Sequence, residues 1–104
     1  MLSYVLTKEA EQGLRQIARY TLKHWGKDVL NQYRSGLEAT FKAISNGEAQ
    51  SHSLSNELPD IVVTKYRYHF VFYIEKKRIK PVIIGVIHEK RDIVSRLAER
   101  LKFI

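Results

Sequence analysis

The sequence predicts an α+β domain: an N-terminal strand, an antiparallel helical hairpin packed on a small antiparallel sheet, and a short C-terminal helix. Three observations lead there. Apolar or small residues recur at helical spacing at Ala10, Leu14, Ile17, Ala18, Thr21 and Trp25, and again at Leu30, Tyr33, Leu37, Phe41 and Ile44. From residue 61 the spacing changes to alternation among β-branched and aromatic residues. Only two or three residues around Gly26 separate the two helical stretches, too few for anything but an antiparallel hairpin. With 104 residues, 44% of them apolar, the chain reads as one domain over 1–104 with a modest core.

Each element has its own local reason. Ser3-Tyr4-Val5-Leu6 reads as a short strand, and Thr7 as the N-cap of the first helix. Glu9 and Glu11 fall in that helix's first turn and Lys23 and His24 near its end, as the helix dipole favours, and Gly26 stops it. The second helix restarts near Asp28 and ends at Asn46-Gly47. Gly36 inside it costs about 1 kcal/mol against alanine, which is read as room for a close crossing of the helices. Residues 48–60 are polar, serine-rich and aperiodic, and read as a connecting loop.

Over 61–74 the alternation puts Tyr66, Tyr68, Phe70, Phe72 and Ile74 on one face and Lys65, Arg67, His69, Val71 and Tyr73 on the other. That length suggests two strands with a kink near Thr64, or one long bent strand. Glu75-Lys76-Lys77-Arg78 is the next turn, and residues 81–88 the next strand. Its unbroken apolar run, residues 82–87, predicts a central strand covered on both faces. Ile93, Leu97 and Leu101 then mark a short amphipathic helix over 89–101.

Composition narrows the chemistry. Without cysteine there is no disulfide, thiol nucleophile or thiolate zinc site. No apolar stretch approaches the roughly 18–20 residues of a membrane span, and Met1-Leu2-Ser3-Tyr4 does not read as a signal peptide, so a cytoplasmic protein is expected. The net charge of +7 is polarised: residues 1–64 carry equal numbers of acids and bases, and all the excess lies in residues 65–104. Such a charge suits nucleic acid, an acidic protein, or both. No histidine pair has metal-ligand spacing with a nearby carboxylate, and there is no Gly-rich phosphate loop or Ser/His/Asp signature.

The distinctive set is Lys65, Arg67, His69, Tyr73, His88 and Arg91. It has the residue types of a metal-free ribonuclease: a base, an acid, and cations for the phosphorane. It equally fits the wet face of a half-buried strand, with His88 donating to a backbone carbonyl. The bases of the tail fit a patch for a partner or the solvated side of a helix. The alternating aromatics read first as core and only distantly as base-stacking groups.

In order and spacing the chain resembles the ParE/RelE superfamily of toxin–antitoxin toxins. The resemblance runs from Tyr4-Val5-Leu6-Thr7 through His24-Trp25-Gly26 and Pro59 to Arg67-Tyr68-His69-Phe70-Val71-Phe72-Tyr73 and Ile84-Gly85-Val86-Ile87-His88-Glu89-Lys90-Arg91-Asp92. The closing segment is more similar to ParE than to the mRNA-cleaving relatives, which usually place a tyrosine or a further basic catalytic residue after the last strand; here Glu89 follows His88.

This resemblance implies a bacterial toxin that inhibits DNA gyrase, stabilising its cleaved DNA complex and arresting growth. Such a toxin has no chemistry, cofactor or metal of its own. It also implies a cognate antitoxin with a flexible, acidic C-terminal segment, joined to the toxin in a hetero-oligomer. Target contacts are expected at Arg67, His88, Arg91, Arg96 and Arg100. The antitoxin surface is expected on exposed parts of the hairpin, at Tyr20, Trp25 and Tyr33. One alternative is a ribosome-dependent endoribonuclease acting on mRNA, with Arg67 and Arg91 on phosphate and Tyr73 or His88 moving protons. Another is a non-toxic nucleic-acid-binding or assembly module.

Overall fold

The structure is a computed structural model and describes residues 4–90. Strand β1 (Val5–Leu6) leads into helix α1 (Lys8–Trp25) through Thr7, whose hydroxyl accepts the Ala10 N–H at 3.2 Å. That bond satisfies a first-turn donor which would otherwise lack a partner. Gly26 stops the helix at φ 89°, a left-handed backbone that side chains resist, and its N–H reaches the Thr21 and Leu22 carbonyls. Helix α2 (Lys27–Ser45) starts at the next residue, so the hairpin is as tight as the sequence requires. Its buried residues, Tyr33, Leu37, Phe41 and Ile44, follow helical spacing and face the sheet.

The sheet contains β2 (Ser51–Ser55), β3 (Leu58–Tyr66), β4 (His69–Ile74) and β5 (Val82–His88) in the order β1-β5-β4-β3-β2. β1 runs parallel to β5 and all other pairs are antiparallel. The helices pack on Val62, Val71, Tyr73, Ile83 and Val86, giving the expected α+β arrangement. On the other face of the sheet, Val63 and Phe72 are also buried. The short helix expected over 89–101 lies outside the described residues, apart from its first two.

Four details depart from the sequence reading. The loop expected over 48–60 folds into β2 and the start of β3. β2 is the outermost strand beside β3, and an edge strand tolerates the polar Ser-His-Ser-Leu-Ser sequence that reads as loop. The centre of the sheet is β4, not β5, whose outer side meets only the two residues of β1.

The chain does not kink at Thr64 but reverses at Arg67-Tyr68, a two-residue hairpin turn pairing Tyr66 with His69. Residues paired across a turn share a face. Tyr66 therefore lies on the side of His69, Val71 and Tyr73, opposite to the assignment that unbroken alternation gives. A second irregularity between Phe72 and Tyr73 leaves Ile84 without a partner on β4, which puts Ile83 and Val86 on the helix side together.

Gly36 also makes room for a residue of the sheet. A side chain there would run first into the ring and hydroxyl of Tyr66 on β3. The bare backbone of α2 is the seat of a sheet tyrosine. Gly36→Ala must displace that ring, and overpacking of this kind costs typically 1–3 kcal/mol, more than the roughly 1 kcal/mol alanine gains in helix propensity. A lower denaturation midpoint for Gly36→Ala is expected, largely restored when Tyr66→Leu is added; an unchanged midpoint in the single variant would contradict the packing.

Candidate functional site

The chemically rich groups gather where the β3–β4 turn meets the end of β5. Register decides this: His69 stands directly opposite His88, and the Glu89 N–H extends the ladder to the Tyr68 carbonyl at 2.8 Å. Beneath the turn, Tyr33 rises from α2. Its hydroxyl hydrogen-bonds His69 Nδ1 and lies 3.4 Å from the Tyr66 carbonyl. Its ring meets the rings of Tyr66 and His69 edge-on, with centroids 5.0 and 5.3 Å away. The turn is thus held from below by one phenol.

This support matters because Arg67 adopts φ 50°, a left-handed conformation that costs a residue with a Cβ about 1–2 kcal/mol. Burial pushes the Tyr33 phenol up to about 12. Burial, with the neighbouring His88, holds His69 down to about 4, against a smaller opposing pull from Glu89. The bond between Tyr33 and His69 therefore joins two neutral groups at neutral pH.

His88 is fixed differently. Its Nδ1 accepts the Lys90 N–H at 3.0 Å, where the sequence suggested a donor to a carbonyl. In the neutral ring this places the proton on Nε2. Its ring is edge-on to His69 at 5.0 Å and nearly parallel to Tyr68, 13° off, at 6.5 Å. Lys65 pairs with Glu89 at 2.5 Å, and that lysine, with burial opposing it, holds the Glu89 carboxyl below its usual range. Tyr68 and Arg67 are exposed.

The anticipated site residues separate into groups. Arg67 and His88 lie in this cluster. Tyr73 does not: it is 1% exposed, and its hydroxyl meets Ser51 Oγ on β2 at 2.6 Å. It sits four residues along β4 from His69, about 13 Å away at the usual strand rise. Arg91, Arg96 and Arg100 lie outside the described residues. Tyr20 and Trp25 are exposed on the hairpin at 59% and 66%, with Tyr20 against His24. Tyr33 is not on an exposed part of the hairpin: its place in the helical stripe turns it into the core beneath the turn.

Sequence reading missed His69 as a partly buried partner of Tyr33 and Tyr68 as an exposed turn residue, because the turn itself is silent in the alternation. It also missed a cleft of about 350 Å³ lined by β1 and both helices, with Leu14, Ile17, Leu30 and Phe41 beside Arg15 and Arg34.

The described residues thus set a helical hairpin over a mostly antiparallel sheet, with a basic aromatic surface at one sheet end and an apolar cleft by the helices. The chain is similar in fold to a solved structure described as the chromosomal ParDE TA system from P. aeruginosa, with a TM-score of 0.65 at 15% identity, covering 85% of this chain and 96% of that one. It is 33% identical to the Toxin ParE of Escherichia coli over 102 residues, 98% of this chain and 99% of its relative. Residues 4–93 match the model of the ParE toxin of the type II toxin–antitoxin system parDE. The chain belongs to the ParE toxin family.

The depressed His69 makes stability depend on pH. Between the ordinary value of 6.5 and about 4, the unfolded chain binds a proton that the folded chain refuses. The folded state therefore loses stability as pH falls through that window. The melting temperature is expected to decline from pH 6.5 to 4, and His69→Gln, which cannot titrate, to flatten the decline. An equally steep slope in the variant would assign it to other groups.

Proposed function

We propose that the protein inhibits DNA gyrase, holding its cleaved DNA complex and blocking replication, and that a cognate antitoxin neutralises it. The observation that carries this reading is the end-to-end likeness to Toxin ParE. Side-chain placement supports action by binding rather than by proton transfer. Tyr73, one of the two groups the nuclease alternative would use to move protons, is core, and His69 is neutral, sheltered and bonded to Tyr33. Arg67 and His88 would meet the target, joined by Arg91, Arg96 and Arg100, which follow β5 in sequence.

The cleft between the helices fits the antitoxin. Its apolar lining suits a segment that folds on binding, and Arg15 and Arg34 suit acidic side chains on that segment. Exposed Tyr20 and Trp25 extend the surface along the hairpin. The +7 charge would speed encounter with an acidic partner, and the two proteins would form a hetero-oligomer in the cytoplasm.

Purified protein in a gyrase supercoiling and cleavage assay, beside a translating-ribosome assay, tests the target. Linearised plasmid with intact mRNA is expected; cut mRNA with unaffected gyrase would replace this reading with the nuclease one. The contact role of Arg67 has its own test, because glycine relieves the left-handed strain while deleting the guanidinium. Arg67→Gly is expected to keep or raise the melting temperature and to weaken gyrase inhibition several-fold. Full inhibition by a folded Arg67→Gly protein would remove Arg67 from the contact surface.

A further inference from the structure

Tyr68 is 59% exposed at the tip of a sheet whose neighbouring aromatics are largely covered. An exposed aromatic residue alone would need no explanation. This one sits in a tight turn, and its backbone carbonyl is tied to the Glu89 N–H at 2.8 Å. Behind it, the nearly parallel His88 ring is held by the Lys90 N–H. The two rings form a short aromatic step fixed from both strands. The acid beside it is already paired. Glu89, the acid closest in sequence, is taken up by Lys65, while Arg67 and Lys90 are exposed on either side of the step in sequence.

We propose that Tyr68, backed by His88, is a stacking platform for an unpaired base of single-stranded nucleic acid, with Arg67 and Lys90 taking the flanking phosphates. An exposed π-face beside cations is the combination by which proteins hold single strands without reading sequence. The platform is preorganised, since the turn is supported by Tyr33 and the strand end by Lys90, so little ordering cost falls on binding. The inference does not depend on gyrase: the contact is made by this chain alone, and it can fail while gyrase inhibition stands.

The test is fluorescence anisotropy of the full-length protein with labelled oligothymidine, oligouridine of equal length, and an abasic strand. Tyr68→Ala is expected to bind about 5- to 150-fold more weakly, as loss of one stacked base implies, with Tyr68→Phe close to the parent. Lys90→Gln should lower the salt slope by about 0.7, the loss of one phosphate contact on a single strand. Because Tyr68 is exposed, circular dichroism of Tyr68→Ala should match the parent. Tighter binding of oligothymidine would assign the platform to DNA, and of oligouridine to RNA. Failure to bind either strand, equal binding of the abasic strand, or full affinity in Tyr68→Ala would overturn the proposal.

Discussion

The arrangement rests on one close approach, the Tyr66 ring against the bare backbone of Gly36. With a side chain at Gly36, α2 would stand further from the sheet. Tyr33, one turn earlier on the same helix, reaches the β3–β4 turn because that distance is short. Its hydroxyl then secures His69 and the strained Arg67 turn. His69 in turn faces His88, so the far end of β5 is ordered through the same contact. Gly13 plays a lesser part on α1, lying close over the Val86 carbonyl of β5.

Two surfaces result, built on different chemistry. The cleft beside β1 and the helices is mostly apolar, with Arg15, Arg34 and Glu38 among its lining residues. The sheet end around Arg67, Tyr68 and His88 is aromatic and basic, and stands on rigid strand pairing. Both surfaces draw on Tyr33, which lines the cleft and braces the turn. A partner that moves Tyr33 within the cleft would therefore bear on the turn as well.

Much of this was legible in the sequence, for identifiable reasons. Thr7 and Gly26 announce the ends of α1 because a hydroxyl cap and a left-handed stop are local demands. The stripe of Leu30, Tyr33, Leu37 and Phe41 announces α2 because helical burial repeats every three or four residues. β2 was hidden because a five-residue edge strand needs no apolar alternation. The turn at Arg67-Tyr68 was hidden because neither residue is a usual turn former and the alternation runs through it unbroken. Lys65 and Tyr66 were therefore given to the wrong sides. The role of Gly36 could not be read locally, since Tyr66 lies thirty residues further on and meets it only through the fold.

The pairing of β1 with β5 sets a further condition on when this protein becomes itself. Val5 lies beside Val82, and Leu6 beside Ile83, so the first strand waits for nearly the last. The helical hairpin closes through neighbours in sequence and can form early, whereas the sheet must gather its ends across most of the chain. During synthesis, an incomplete chain would hold helices with no seat for their apolar stripe. A chain built in this way completes its sheet only once β5 has been made.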